Sequence, residues 1–319
     1  MKSNNIQENN SPSLRKFSKY VVSHLIYSRA VATIELAIEA TQSSGQPHSA
    51  MLTGESGTGK TTVCEYLVHK RPIRRDQVDA SGIRTVVPAF YCCVSAQVTI
   101  KGLATVMLMK LGCSELTGSQ VILTSRLCAL IETCQTEVIF LDEFHHLLRS
   151  DASKVLGGVR DWVKDLINET GVTVVLVGLP KCEAIIDEDP ETKRRFPHRA
   201  SLSHFPFSTE PSSQYIKVLK ALSSAMVAHA GLAVTPVLTD ADKAAAFYVA
   251  TGGNMNSIRL LLFQVSNAAF KVPGRRVVWE DFAVAFESIT VDHCLMRHGN
   301  PFRQPMQQLH NIIANGGSK

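Results

Sequence analysis

The sequence predicts an α/β protein in which helices flank a parallel β-sheet, followed by a small all-helical lid domain. Up to about residue 207, short apolar runs alternate with helical stretches, a pattern typical of a parallel sheet that is covered on both faces. After about residue 208 the pattern becomes helical almost throughout, so a domain boundary is predicted near Phe207 and Ser208. A glycine-rich segment between the first apolar run and the next helix, residues 54–61, indicates a ligand-binding loop at the end of a strand.

The first domain is predicted to span residues 14–207, after a polar N-terminus of residues 1–13 that is expected to be disordered. A partly periodic apolar stripe predicts one long helix over residues 14–43. Short runs of apolar residues predict strands at 50–52, 84–94, 138–141 and 172–177. Between the strands, helices are predicted at 61–70, 101–111, 119–134 and 153–168.

The second domain is predicted to be a helical lid over residues 208–295. Its apolar periodicity predicts helices at 210–230, 238–250, 254–271 and 279–289. The final segment, residues 296–319, has weak periodicity and is predicted to form a flexible tail. Within this tail, Asn300-Pro301-Phe302 is a candidate for docking on a partner, and simple packing of the tail is the alternative.

Composition excludes several classes of protein. Hydrophobic residues make up 45% and charged residues 19%, which is ordinary for a globular protein. No apolar run approaches the roughly 18 residues of a membrane span, and the N-terminus lacks the apolar core of a signal peptide. We therefore expect a cytosolic protein without a membrane partner. The eight cysteines show no C-x-x-C spacing, which favours reduced cysteines, and a net charge of +5 is compatible with nucleic acid without indicating it.

The strongest signal is the segment from Gly54 to Thr61, which matches G-x-x-x-x-G-K-[ST] between a strand and a helix. Glycines let backbone N–H groups turn toward phosphate oxygens, and the N-terminus of the helix adds partial positive charge. Lys60 supplies a mobile cation for the β- and γ-phosphates, and Thr61 offers a hydroxyl to Mg²⁺. ATP and Mg²⁺ are the predicted cofactors. The predicted nucleotide-binding residues of this loop are Gly54, Glu55, Ser56, Gly57, Thr58, Gly59, Lys60, Thr61 and Thr62.

A second signal lies about 80 residues later, where the apolar residues 138–141 precede Asp142 and Glu143. This order places both carboxylates at the C-terminal end of a strand, where parallel sheets present ligand groups. Asp142 is predicted to hold Mg²⁺ and its water shell together with Thr61. Glu143 is predicted to orient and polarise the attacking water. The two motifs together predict hydrolysis of ATP to ADP and phosphate.

Phosphoryl transfer also needs positive charge near the γ-phosphate. Arg194, Arg195 and Arg199 follow the last predicted strand of the first domain and are candidates for an arginine that reaches a neighbouring subunit's site. A solvated basic helix end is the alternative for these residues. Arg259, at the start of a lid helix, is a candidate contact to the γ-phosphate, with a surface arginine as the alternative.

The region around the two acids resembles that of the TnsC/TniB family, which are AAA+ ATPases of transposition. The similarity extends over about residues 20–303 and is carried by Leu141–Leu148, Thr99–Leu103, Arg194-Arg195-Phe196 and Asn300-Pro301-Phe302. The phosphate loop is generic to the AAA+ class, whereas the D-E-x-H-H stretch and the overall layout point to this family.

The resemblance implies a protein that assembles, with ATP, as a ring or helical filament of its own copies on double-stranded DNA. It implies a link between a target-selection protein of the TniQ type and a DDE transposase of the TnsB or TniA type, with ATP hydrolysis disassembling the polymer. Lys101 matches the family's DNA-contacting position, and a solvated lysine is the alternative. Thr117 and Ser119 lie in a loop that can present hydroxyls to DNA phosphates. Because a polymer repeats each contact, weak contributions accumulate.

One departure from the AAA+ pattern bears on the hydrolysis rate. The strand at 172–177 is followed by Gly178, where many AAA+ proteins carry a polar sensor residue. Slow or partner-stimulated turnover is therefore expected, and a different group that senses the γ-phosphate is the alternative. Two other functions stay open at this point. One is a helicase loader or a relative of the origin-recognition ATPases, and the other is a nucleotide-gated scaffold with negligible turnover.

Overall fold

The computed structural model describes residues 12–79, 82–94, 99–144, 146, 153–232, 235–271 and 276–316. These residues form two compact units. The α/β unit consists of Ile26–Ser203, and the helical unit combines the described residues up to Leu25 with those from His204 onward. Within the described ranges, no helix is both long enough and apolar enough to cross a membrane.

The described part of the α/β unit contains a sheet of five strands and a separate pair of strands. Along the chain, the strands are β1 (Ala50–Gly54), β2 (Arg74–Asp79), β3 (Gly82–Val86), β4 (Ala89–Cys93), β5 (Val138–Asp142), β6 (Thr173–Gly178) and β7 (His198–Leu202). The order across the larger sheet is β4-β5-β6-β1-β7, and its neighbouring strands are parallel. The parallel sheet that the sequence predicts is therefore confirmed.

Helices cover both faces of this sheet. Helix α2 (Leu25–Ser44) precedes β1, and the helices between the strands are α3 (Lys60–His69), α4 (Ile100–Lys110), α5 (Gln120–Thr133), α6 (Ser153–Thr170), α7 (Cys182–Asp187) and α8 (Pro190–Arg195). Helix α1 (Pro12–Lys19) belongs to the helical unit. Successive side chains of a strand point to opposite faces. Ile139 and Leu141 of β5 therefore join an apolar cluster with α4, α5 and α6, whereas Phe140 joins a second cluster with α2 and α3.

Parallel pairing brings the carboxyl ends of neighbouring strands to one edge of the sheet. Thr53 near the end of β1 pairs with Gly178 at the end of β6. On the other side, Cys93 at the end of β4 pairs with Asp142 at the end of β5. The loops that follow these strands therefore start at the same edge, which is where open α/β sheets bind ligands.

The prediction of one strand over residues 84–94 is wrong, because the chain forms two strands there. β3 pairs with β2 in an antiparallel hairpin, and only β4 joins the larger sheet. Pro88 separates the two strands because it has no backbone N–H to donate to a ladder. Its carbonyl instead accepts the N–H groups of Glu137 (2.8 Å) and Val138 (3.1 Å), where pairing with β5 begins.

The prediction of one helix over residues 14–43 is also wrong, because α1 ends at Lys19 and α2 begins at Leu25. Side chains from distant parts of the helical unit satisfy the backbone at this break. The guanidinium of Arg259 donates to the carbonyl of Ser18 at 2.6 Å and to that of Tyr20, and the Gln214 side chain accepts the N–H of Leu25 at 2.8 Å. Helix α1 includes residues 12 and 13, which were expected to be disordered. Residues 1–11 lie outside the described part of the chain.

The helical unit contains the elements that the sequence predicts for the lid. They are α9 (Gln214–Ala228), α10 (Ala241–Thr251), α11 (Met255–Phe270) and α12 (Trp279–Glu287), followed by a 3-10 turn (Pro301–Arg303) and α13 (Met306–Ala314). The division between the units falls between Ser203 and His204, slightly before the predicted boundary. Residues 14–25, which were assigned to the first domain, group with the helical unit because their backbone is held there.

The prediction of a flexible C-terminal tail is wrong for residues 296–316. The ring of Phe302 is buried, with ring centroids 5.2 Å from Phe247 and 5.3 Å from Trp279. The side-chain amide of Asn300 donates to the carbonyl of Ala283 at 2.9 Å. Because these anchors are aperiodic, helical periodicity did not reveal them. Asn300-Pro301-Phe302 therefore packs within its own unit in this structure, instead of being available for docking on a partner.

Candidate functional site

The loop between β1 and α3 has a backbone that only glycine adopts easily at several positions. Gly59 caps the N-terminus of α3 with φ of 100°, and Gly57 has φ of 76°, both in the left-handed region. Gly54 is required for a different reason, because a Cβ there would lie 2.4 Å from the carbonyl oxygen of Leu202 on β7. The loop thus runs close to β7 and then turns into the first N–H groups of α3.

Lys60 lies over this loop and is largely buried. Its Nζ donates to the carbonyl of Gly54 at 2.8 Å and to that of Glu55 at 3.0 Å. The hydroxyl of Thr58 donates to the same Glu55 carbonyl at 2.8 Å and closes the turn. The ammonium group therefore lies at the loop, where phosphate oxygens can replace the two carbonyls as its acceptors.

The remaining loop residues of the motif differ in exposure. Glu55 and Ser56 are exposed at the tip of the loop, and Thr61 is exposed in the first turn of α3. Thr62 follows on α3 and is half-buried. The polar groups that face solvent are thus at the tip and at the N-terminal end of α3, which is the end where anions are stabilised.

The carboxylate of Asp142 is 1% exposed and is surrounded by hydrogen-bond donors. Its Oδ2 accepts the hydroxyl of Thr61 at 2.9 Å and the phenol of Tyr91 at 2.7 Å. Its Oδ1 accepts the backbone N–H of Glu143 at 2.7 Å. Tyr91 belongs to neither sequence motif, and its one sequence signal is its position two residues before the end of the neighbouring strand.

The surroundings of Tyr91 oppose loss of its phenolic proton. Burial of the ring raises the pKa of Tyr91, and the hydrogen bond to the Asp142 carboxylate raises this pKa further. Both effects favour the protonated phenol because an anionic phenolate would lose solvation and face a like charge. Tyr91 therefore acts as a hydrogen-bond donor to Asp142.

Glu143 follows β5 with φ of 60°, which is uncommon for a residue other than glycine. This conformation turns the chain sharply at the end of the strand, directly after Asp142. One carboxylate oxygen of Glu143 lies 4.0 Å from Nε2 of His146. His145, the first histidine of the D-E-x-H-H stretch, lies outside the described residues.

A further polar contact lies beside Gly178, at the end of β6. Thr53, the β1 residue that pairs with Gly178, is buried, and its hydroxyl donates to Oε1 of Glu183 at 2.7 Å. Glu183 is in the first turn of α7. The polar groups near Gly178 are therefore Thr53 of β1 and its acceptor Glu183 of α7, which no sequence motif predicts.

The three arginines after β6 have different environments. Arg194 is exposed near the end of α8, and Arg195 is half-buried beside it. Arg199 lies on β7 and donates to the carbonyl of Phe196 at 2.8 Å and to the carboxylate of Asp187 at 3.0 Å. Arg199 is thus engaged within its own unit, which makes Arg194 and Arg195 the better candidates for reaching a neighbouring subunit.

Arg259 belongs to the helical unit, in the first turns of α11. Its guanidinium donates to two backbone carbonyls at the end of α1, as described above. Burial lowers the pKa of Arg259. In this structure its hydrogen bonds hold the N-terminal segment, and contact with a γ-phosphate stays a prediction.

The predicted DNA-contacting residues lie at the starts of two neighbouring helices. Lys101 is exposed in the first turn of α4, and α4 packs against α5. Ser119 caps α5 by accepting the N–H of Ile122, and the hydroxyl of Thr117 donates to Glu115. Both hydroxyl groups are exposed but already have partners within the chain.

Two comparisons with known sequences bear on the identity of the chain. A sequence model for the family described as bacterial TniB protein matches residues 19–205. No curated protein matches the chain.

Solved structures show similarity across most of the chain. Orc1 of Aeropyrum pernix in complex with DNA shares 17% identity at a TM-score of 0.58, over 86% of this chain and 68% of that one. Cdc6p of Pyrobaculum aerophilum shares 16% identity at a TM-score of 0.60, over 87% and 71%. Domain III of the Thermotoga maritima replication initiation protein DnaA shares 14% identity at a TM-score of 0.50, over 87% and 97%.

These likenesses show the fold, which is that of an AAA+ P-loop ATPase. The family match is the more specific finding, since it covers more than half of the 319 residues. The matched segment includes the phosphate loop, Asp142 at the end of β5, Glu143 directly after it, and the arginines after β6. The protein therefore belongs to the TniB family.

Proposed function

We propose that this protein is an ATP- and Mg²⁺-dependent AAA+ regulator of DNA transposition. It oligomerises on duplex DNA and links a TniQ-like target-selection protein to a DDE transposase, and ATP hydrolysis drives its disassembly. The observation that carries the nucleotide part is the 2.9 Å hydrogen bond from Thr61 to Asp142, which joins the phosphate loop to the acidic strand end. Membership of the TniB family supports the transposition part.

The residues present fit Mg²⁺ and a triphosphate. Mg²⁺ prefers oxygen ligands and is commonly held by one or two protein groups together with substrate phosphates. The hydroxyl of Thr61 and the carboxylate of Asp142 are such groups, and they lie within hydrogen-bond distance of each other. When bound, the metal neutralises charge that develops on the phosphates. Lys60 and the N-terminus of α3 supply the remaining positive charge.

The hydrolytic role falls to Glu143. It follows Asp142 directly, so its carboxylate would be free to act on a water molecule while Asp142 holds the metal. Glu143 would orient this water and accept its proton. An arginine from a neighbouring subunit, Arg194 or Arg195, would stabilise charge on the γ-phosphate, because both lie near the end of α8.

In this proposal, the affinity for DNA depends on oligomerisation. Lys101 is a single exposed cation near the N-terminus of α4, and one such contact per subunit binds DNA weakly. A ring or filament repeats this contact along the duplex, so affinity depends on assembly. ATP would control DNA binding by controlling that assembly.

The alternative function is a role in replication initiation, since proteins of that process have the same fold. Orc1 in complex with DNA, Cdc6p and DnaA are all structurally similar to this chain, so fold similarity supports an AAA+ ATPase without selecting the process. The family match favours transposition over replication, because the sequence model that matches is that of TniB proteins.

Electron microscopy of the purified chain with duplex DNA and a non-hydrolysable ATP analogue tests the proposal. We expect rings or filaments around DNA that depend on the nucleotide, and none with the Lys60→Ala variant. Addition of a DDE transposase of the TnsB or TniA type is expected to shorten these assemblies in the presence of ATP. Equal assembly on DNA with and without nucleotide would refute the proposal. A wild-type protein that binds neither ATP nor DNA would refute it as well.

A further inference from the structure

Two hydroxyl groups from different elements converge on one oxygen of Asp142. Thr61 comes from α3 and Tyr91 from β4, and both donate to Oδ2. Thr61 has an assigned role as a metal ligand, whereas nothing in the phosphate-loop or acidic motif requires a tyrosine on β4. The second donor therefore needs its own explanation.

The register of the sheet explains how the phenol reaches Asp142. Cys93 is the residue directly opposite Asp142, and Tyr91 lies two positions earlier on β4. Because side chains alternate along a strand, Tyr91 and Asp142 lie on one face of the sheet, and the phenol reaches the carboxylate at 2.7 Å. The ring packs against the apolar cluster of α2 and α3, which holds the hydroxyl in place.

The donors and acceptors around Asp142 indicate the role of the phenol. A hydroxyl that ligates a metal offers it a lone pair and keeps its proton for another acceptor. The proton of Thr61 already lies toward Oδ2, so its lone pairs are left to face a cation. The phenol of Tyr91, on β4, donates a hydrogen bond to the same Oδ2, and the backbone N–H of Glu143 donates to Oδ1. The carboxylate is therefore restrained on both oxygens.

We propose that Tyr91 is a positioning residue of the magnesium site, which fixes the carboxylate of Asp142 and, through it, the hydroxyl of Thr61. This inference rests on the proposed function, since it assigns a role at the same nucleotide site. In this role Tyr91 would act through Asp142, to which its hydroxyl donates, and would not itself be a metal ligand. Residues that orient a metal's ligands typically change metal affinity when they are lost, without being ligands themselves.

The test separates metal binding from nucleotide binding in Tyr91→Phe, which removes only the hydroxyl. A fluorescent, non-hydrolysable ATP analogue is titrated first in EDTA and then at rising Mg²⁺ concentration. We expect unchanged affinity in EDTA and an about 10-fold higher Mg²⁺ concentration for half-maximal tightening. Binding of Mn²⁺ to the protein–nucleotide complex, followed by electron paramagnetic resonance, should weaken to the same extent.

Tyr66→Phe is the matched control, because Tyr66 is an exposed tyrosine on α3 of the same unit. It should leave both titrations unchanged. The same Mg²⁺ dependence in Tyr91→Phe as in wild type would overturn the role of Tyr91 and leave the proposed function intact. Loss of metal-free nucleotide binding would also overturn it, since the hydroxyl would then serve folding of the site. If wild-type protein binds no nucleotide, the proposed function falls as well.

Discussion

The hydroxyl of Thr61 donates a hydrogen bond of 2.9 Å to the carboxylate of Asp142, although the two residues are 81 positions apart in the sequence. This contact joins the start of α3 to the end of β5 and defines the place where a metal ion and phosphates can be held together. The oxygen that accepts it is shared with Tyr91.

Changing Glu143→Gln should slow phosphate release by at least about 100-fold, because the amide cannot accept a proton from the attacking water. Nucleotide affinity should be retained, since Glu143 is not needed for the phosphate contacts. Both quantities are measured on the same preparation, with and without duplex DNA. Phosphate release equal to that of wild type would favour the nucleotide-gated scaffold with negligible turnover.

Mixing two inactive variants tests whether an arginine acts across subunits. Lys60→Ala should lack nucleotide binding, and Arg195→Ala or Arg194→Ala should lower turnover by up to about 1000-fold. In a mixture, some interfaces combine an intact phosphate loop with an intact arginine, so activity should rise well above that of either variant. Arg199→Ala serves as a comparison, because Arg199 is bound to Asp187 and Phe196 within its unit. Absence of rescue with all three arginines would exclude the mechanism.

Lys101→Ala should weaken ATP-dependent association with duplex DNA and reduce its salt dependence. Each lost phosphate contact lowers the slope of log affinity against log salt concentration by about 0.9. Lys110→Ala is the matched control, because it removes an equal charge from the exposed C-terminal end of the same helix. Titrations at several salt concentrations that give identical slopes for both variants and wild type would count against a DNA contact at Lys101.

Arg259→Ala should lower the free energy of unfolding of the helical unit by about 2 kcal/mol, because charge-assisted hydrogen bonds to the carbonyls of Ser18 and Tyr20 are lost. Chemical denaturation followed by circular dichroism measures this change, and Lys217→Ala, an exposed substitution on α9, is the control. An unchanged unfolding free energy together with weaker ATP binding would instead support the γ-phosphate contact.

Most of the candidate nucleotide site could be predicted from the sequence, because it is built from short segments. Gly57 and Gly59 adopt the left-handed conformations that a phosphate loop needs, and Asp142 lies at the end of a strand as predicted. The acids and the loop are brought together by parallel strand pairing, which follows from the alternation of strands and helices. Tyr91 was missed because its role depends on the register between β4 and β5.

The amino-acid sequence by itself determined the fold class, the phosphate loop, the acidic strand end and the resemblance to the TniB family, because each is carried by local residue types and spacing. Tertiary structure decided which distant groups satisfy one another. The guanidinium of Arg259 donates to backbone carbonyls at the break in the predicted long helix. The ring of Phe302 packs in an aromatic cluster and fixes the tail that was predicted to be flexible. Such contacts leave no periodic signal, since their energy comes from burial and hydrogen bonding between residues that are far apart along the chain.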